Sequence, residues 1–245
     1  MGLAKPSLEE VLQASSSGSR RPKGGVKVVA VADLPTRFGE FEIVSFQSPD
    51  DGKDHAALVL GDIAGKEDVP VRLHSECLTG DVFASLRCDC REQLELAIDE
   101  IRTRGSGALL YLRQEGRGIG LENKIKAYRL QELGLDTIEA NEALGFRADE
   151  RDYRVAAEML KALGVKSILL MSNNPAKIAD LQVHGVKIAG RIPLEVSPNP
   201  HNARYLETKR VRAGHLLKAP PWPPLREQID CLHAPPGDSA DPADG

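Results

Sequence analysis

"DCREQLELAIDEIRTRGSGALLYLRQ", residues 89–114, is where the apolar pattern changes its period. Leu94, Ala97, Ile98 and Ile101 share one helical face that ends before Gly105. A helix is therefore expected, with Asp89 as N-cap and Glu92 as its capping-box partner. "GALLYLRQ" is apolar throughout and reads as a buried strand. From this point strands and helices alternate. "LENKIKAYRLQEL" (121–133) and "YRVAAEMLKAL" (153–163, closed by Gly164) read as helices, and "KSILLMS" (166–172) as a strand. "NNPAKIADLQVHG" (173–185) reads as a helix with Asn174 as N-cap, Pro175 at the first position and Gly185 at the stop. Before residue 89 the runs "VKVVAVADLP" (26–35), "FGEFEIVSF" (38–46), "HAALVLGD" (55–62) and "VPVRLH" (69–74) are strand-like and separated by polar or Gly breaks. The expected fold is α/β with mixed α+β character: an N-terminal antiparallel β region, then alternating strands and helices on a mixed sheet.

The ends have a different composition. Residues 1–25, with "ASSSGSRRPKGG", lack apolar periodicity and are expected to form a flexible arm. Residues 219–245 hold seven of the sixteen prolines, and also Cys231, and are expected to form a disordered tail. The body, 26–218, is then expected to be one domain without internal repeats.

The chain has 245 residues, 41% of them hydrophobic, enough for a proper core. Asp and Glu exceed Lys and Arg by four (36 against 32), so the net field repels polyanions and disfavours nucleic acid or membrane surfaces as partners. "MGLAKPSLEEVLQ" lacks a long apolar region, and no run of about 18 apolar residues occurs, so a cytoplasmic location is expected. In a reducing compartment clustered thiols are more often metal ligands or redox groups than cross-links.

Three of the four cysteines, Cys77, Cys88 and Cys90, lie within fourteen residues. Thiolates at this spacing can close on one zinc ion if the intervening chain folds as a loop, and three protein ligands leave a fourth position open, as catalytic sites do. Three buried unreactive thiols would look similar. A redox pair fits less well, since the spacing is not C-x-x-C.

"RQEGRGIGL" (113–121) joins a strand to a helix, and Gly116, Gly118 and Gly120 would let backbone N–H groups approach an anion, with Arg113 and Arg117 beside them. It fits neither the dinucleotide nor the P-loop fingerprint, and a tight turn reads as well. In "SNNPAK", Ser172 stands at a strand end. Lys177 falls in a helix's first turn, where a cation opposes the dipole; a bound anion would explain it, and an ordinary solvated lysine is the alternative. Tyr128, in register with Leu121 and Ile125, reads as a core tyrosine, and Asp149 to Asp152 in "RADERDY" as a solvated turn.

Taken together, "RLHSECLTGDVFASLRCDCREQLELA", "YLRQEGRGIGLENKIKAYRLQ", "DTIEANEALGFRADERDY" and "SNNPAKI", from about residue 70 to 217, closely resemble GTP cyclohydrolase II of riboflavin synthesis. That family opens the imidazole ring of GTP, releasing formate and pyrophosphate and leaving a diaminopyrimidinone ribosyl phosphate. The resemblance implies Cys77, Cys88 and Cys90 as zinc ligands and Arg72, Leu73, His74, Ser75, Glu76, Gln93, Glu115, Gly116, Arg117, Thr137, Ser172 and Lys177 as GTP contacts. It also implies Asp149 as proton acceptor, Arg151 as the proposed nucleophile toward the α-phosphate, and Tyr128 as an active-site tyrosine. Ser172 stands where the family commonly has threonine. Mg²⁺ on the phosphates and a homodimer are implied as well. The roughly seventy residues before the resemblance are too few for the dihydroxybutanone phosphate synthase often fused there. Two other readings are a cyclohydrolase that stops after ring opening or serves a specialised pathway, and a non-catalytic zinc- or nucleotide-binding module.

Overall fold

The computed structural model describes residues 25–49 and 51–217; the expected arm and tail, with Cys231, lie outside the described residues except for Gly25. Among the described residues, seven strands form one sheet: β1 (Lys27–Thr36), β2 (Gly39–Gln47), β3 (Asp54–Leu60), β4 (Val69–Ser75), β5 (Gly107–Leu112), β6 (Ile168–Met171) and β7 (Ile188–Ile192). Their order is β1-β2-β3-β5-β4-β6-β7. The pairs β1·β2, β2·β3 and β3·β5 are antiparallel, and β5·β4, β4·β6 and β6·β7 are parallel. The expectation of an antiparallel N-terminal region holds for β1 to β3. It does not extend to β4, which sits between two parallel neighbours, as its uniformly buried residues Val69 to His74 require.

Among the described residues, six α-helices accompany these strands: α1 (Cys90–Arg104), α2 (Gly120–Glu132), α3 (Thr137–Ala143), α4 (Arg154–Ala162), α5 (Pro175–Val183) and α6 (Ala203–Val211). Strand β5 shows how the layers form. Ala108, Leu110 and Leu112 enter one core with Ala156, Met159 and Leu160 of α4 and Leu181 of α5. Leu109 enters the other, with Ala97, Ile98 and Ile101 of α1. A strand covered on both faces carries no polar alternation, which is why "GALLYL" reads as one apolar run.

Helix boundaries follow their local chemistry. Asn174 accepts from the Ala176 N–H with Pro175 at the first position, as expected. Gly105 ends α1 in the left-handed region. The capping box expected at Asp89 and Glu92 is absent: Asp89 holds the N-cap position, but its carboxylate is drawn to Lys209 and Gln93. The box occurs instead at Asp136 and Glu139, opening α3, a helix that periodicity did not indicate because it is only seven residues long. Strand β7 and helix α6 were also not anticipated.

The strand order reverses at β4. Its chain passes through α1 to β5 on one side, and the next parallel neighbour, β6, lies on the other. Such a reversal opens a crevice at the carboxyl ends of the strands. The three cysteines follow β4, "RQEGRGIGL" follows β5 and "SNNPAK" follows β6.

Candidate functional site

A cavity of about 310 Å³ lies in that crevice. It is lined by all three cysteines, Asp149, Arg151, Tyr128, and every expected GTP contact except Leu73. Leu73 is 1% exposed and its side chain belongs to the core, while its backbone carbonyl accepts from the cavity-lining Lys177 Nζ at 3.0 Å. Arg113 is not part of the lining either, and pairs with Glu76 at 2.9 Å.

One candidate metal group is the cysteine cluster, whose three sulfurs lie within 4.8 Å of one another. Cys77 and Cys88 Sγ are 3.7 Å apart. Zn–S bonds of about 2.3 Å at tetrahedral angles would place two sulfurs about 3.8 Å apart, so the donor set fits zinc as it stands. Gly80 makes the cluster possible: a Cβ there would fall 2.9 Å from Cys88 Sγ and 3.2 Å from Cys77 Sγ. Without metal, the Cys88 and Cys90 thiols donating toward Cys77, with Lys124 beside it, hold the Cys77 thiol far below its usual range. The same sharing pushes Cys88 up to about 11 and Cys90 well above the ordinary value. The second group, Asp152, Asp180 and His184, is solvent-facing.

Lys124 was missed from sequence. It points inward from α2 and donates to Cys77 Sγ at 3.2 Å and to Glu115 Oε1 at 2.7 Å, while Glu115 Oε2 accepts from the Leu78 N–H. The buried face of α2 is Lys124 and Ala127, whereas Leu121 and Ile125 are 40% and 49% exposed. The core reading of Tyr128 is thereby corrected. Tyr128 lies at the cavity wall, its hydroxyl 3.2 Å from Thr79 Oγ1 and its ring near Arg87 and Lys124. A lysine amid an amphipathic register was the available signal. Asp81 was missed too: its carboxylate takes His74 Nε2, the Tyr111 hydroxyl and the Cys77 N–H, pinning the first cysteine to β4 and β5.

Within "RQEGRGIGL", Glu115–Gly118 forms a kinked turn and not a regular helix, with Gly116 and Arg117 both in the left-handed region. A Cβ at Gly118 would press on the Glu150 backbone at 3.1 Å, so this glycine permits a close chain crossing. The Gly116 N–H is taken by Glu115 Oε1 and is not free for an anion.

Buried cations line the same cavity. Lys177 is 6% exposed, not solvated, and pairs with no carboxylate among the contacts described above. Burial, then Arg72 and Arg151, push its pKa well below the ordinary value. His215 is driven down to about 3 by burial and by Lys209, Arg117, Lys177 and Arg151. Arg151 and Asp149 form a two-pronged pair, Nε to Oδ1 at 2.8 Å and Nη2 to Oδ2 at 2.5 Å, so this part of "RADERDY" is structured and not a solvated turn. Glu150 pairs outward with Arg147, and Asp152 is exposed as expected. Ser172 Oγ accepts from the Asn174 N–H, and Thr137 opens α3 at the cavity. Arg72 bonds the Met171 carbonyl and Gln93, leaving its Nε without a partner; His74 Nδ1 and Gln114 Oε1 are likewise buried and unpartnered. Arg72, His74 and Gln114 all line the cavity.

Among known proteins, the family model for GTP cyclohydrolase II matches residues 27–193. GTP cyclohydrolase-2 of Aeromonas hydrophila is 56% identical over 193 residues, covering 79% of this chain and 98% of that protein. GTP cyclohydrolase-2 of Klebsiella pneumoniae is 54% identical over 196 residues, with coverage of 80% and 98%. The riboflavin biosynthesis protein RibBA of Bacillus subtilis is 56% identical over 185 residues, 75% of this chain and 46% of that longer protein. The family match starts at residue 27, so β1 to β3, which carry no chemical signal legible in sequence, belong to it as well.

Proposed function

The chain belongs to the GTP cyclohydrolase II family, and from that premise we propose that its cavity hydrolyses GTP to the 2,5-diamino-6-(5-phosphoribosylamino)pyrimidin-4(3H)-one, releasing formate and pyrophosphate, the first step of riboflavin biosynthesis. The observation that carries the reading is that one cavity is lined by both a thiol cluster and several buried cations. A purine triphosphate brings matching groups, a ring to be opened and about four negative charges.

Cys77, Cys88 and Cys90 would hold zinc, which supplies Lewis-acid activation at guanine C8. Lys124 offsets part of the charge of three thiolates through Cys77 and holds Glu115 toward the base. Tyr128, whose pKa burial raises further above its ordinary value, keeps its hydroxyl proton and can donate it to the opening ring. Arg151 keeps Asp149 below its ordinary value in spite of burial, so Asp149 remains a carboxylate that orients Arg151 and accepts a proton released on hydrolysis. Arg117, Arg151 and Lys177 would take the phosphates, and Mg²⁺, when bound with the nucleotide, would supply further charge neutralisation there. Arg72, His74, Ser75, Glu76, Gln93, Thr137 and Ser172 complete the nucleotide's contacts. A homodimer and a cytoplasmic location belong to the same proposal; among the described residues no helix is long and apolar enough to cross a membrane.

Incubation of the zinc-loaded protein with GTP and Mg²⁺ is expected to give formate, pyrophosphate and the pyrimidine's ultraviolet absorbance together. Ring opening without formate would indicate the truncated reaction, and nucleotide binding without turnover would indicate a silent module.

Lys177 gives a pH-dependent prediction. Its folded-state pKa lies below 10.5, so between those two values the unfolded chain binds the extra proton and stability rises with pH. Lys177→Met lacks that contribution. Urea midpoints measured from about pH 7 to about pH 10 should therefore rise in the wild type relative to the variant. Turnover of the variant should fall about 10²-fold through loss of an amine that the phosphates of bound GTP would hold protonated. Parallel stability profiles would refute the buried-lysine account.

A further inference from the structure

We propose that helix α6, which lies beyond the family-matched residues 27–193, is a working wall of the catalytic cavity, and that Lys209 on it is a positioning residue for the turn bearing Cys88 and Cys90. The inference rests on the reading of the three cysteines as zinc ligands. Lys209 Nζ lies 2.7 Å from Asp89 Oδ1, with side chains 10% and 3% exposed. Asp89 is the residue between the two cysteines, and Lys209 also stands 4.3 Å over the Tyr205 ring.

The pair is the first link of a buried chain. Asp89 Oδ2 accepts from Gln93 Nε2, Gln93 Oε1 accepts from Arg72 Nη2, and Arg72 Nη1 donates to the Met171 carbonyl at the end of β6. The backbone after α6 is tied across the same region, the His215 N–H to the Lys209 carbonyl and the Leu216 N–H to the Asn173 carbonyl. Tyr205, Lys209, Arg212 and His215 thereby line the cavity. Asp89 is drawn away from the capping bond that its position on α1 would favour, which shows that the ion pair, not the helix end, sets its side chain. A carboxylate this buried is tolerated only with its cation in place. Without Lys209 the Cys88-Asp89-Cys90 turn loses its anchor, and the two sulfurs lose their fixed spacing.

Partners one step outside a metal's ligands typically set its affinity by about 10- to 100-fold. Full-length zinc-loaded Lys209→Met should therefore release zinc to a colorimetric chelator about 10- to 100-fold faster than wild type. Asp89→Asn should do the same, the double variant should be no worse than either, and Lys209→Arg should recover most of the loss. With cobalt in place of zinc, the thiolate-to-metal absorption of Lys209→Met should shift. By reciprocity, zinc binding to the wild type should raise hydrogen-exchange protection of α6, a readout that requires no variant to fold. Wild-type release kinetics and cobalt spectrum in Lys209→Met, or α6 protection indifferent to zinc, would overturn the proposal. A wild-type protein that binds no zinc would instead overturn the metal reading on which it stands.

Discussion

Cys88→Ser is expected to lower turnover of GTP about 10³-fold and to leave the purified protein without stoichiometric zinc. The size follows from the reaction. Opening an aromatic imidazole needs its C8 made electrophilic, and loss of a Lewis acid worth about 4 kcal/mol of barrier corresponds to three decades in rate. A serine hydroxyl does not ionise in this range and is a poor zinc donor beside two sulfurs. The remaining pair, Cys77 and Cys90, would be left with Lys124 directed at Cys77 and no third thiolate to close the set. Gly80→Ala should reproduce much of the loss with all three sulfurs retained, because the added methyl would stand 2.9 Å from Cys88 Sγ and 3.0 Å from Cys90 Cβ. Zinc content by elemental analysis and formate release are the two measurements. A Cys88→Ser protein that turns over near the wild-type rate would remove the thiol cluster from the chemistry.

How much of this was legible in sequence depends on the range of the signal. The helix from Cys90 to Arg104, the strand at 107–112 and the capped helix at Pro175 are written in local periodicity and cap chemistry, and the structure has them at those places. The parallel placement of β4 is not local, since its two partners lie across α1 and across ninety-odd residues of chain. Its sequence, "VPVRLH", shows only that both faces are apolar. Asp89 failed as a capping residue for a similar reason: a lysine 120 positions away competes for the same carboxylate at a buried distance of 2.7 Å, and a charge-assisted bond outweighs a cap exposed to water. Lys124 and Lys177 look like solvated lysines in any window of ten residues. Only the closure of β4, β5 and β6 over one crevice turns them inward.

Arg151→Ala is expected to reduce turnover about 10³-fold, the scale on which an arginine acts on a transferring phosphate group, while Arg151→Lys keeps part of the rate and no guanylyl-protein adduct accumulates under rapid quench. The argument rests on protonation. Burial alone would lower the Arg151 pKa, but the field of Tyr153 and the two-pronged bond to Asp149 outweigh it and leave the value raised. A guanidinium held this way has no free electron pair for attack at phosphorus, whereas its planar fork is shaped for phosphate oxygens. Its contribution is then charge stabilisation as pyrophosphate departs, delivered by Nη1, which otherwise makes only a 3.4 Å contact to Ser75 Oγ. Lysine retains the charge without the fork, so partial rescue follows from the electrostatic account. Asp149→Asn should weaken Arg151 placement and lower kcat by a smaller factor than Arg151→Ala, since the cation itself remains. Isolation of a phosphoramidate at Arg151 would reverse this assignment, because covalent catalysis needs the neutral guanidine that Asp149 is placed to prevent.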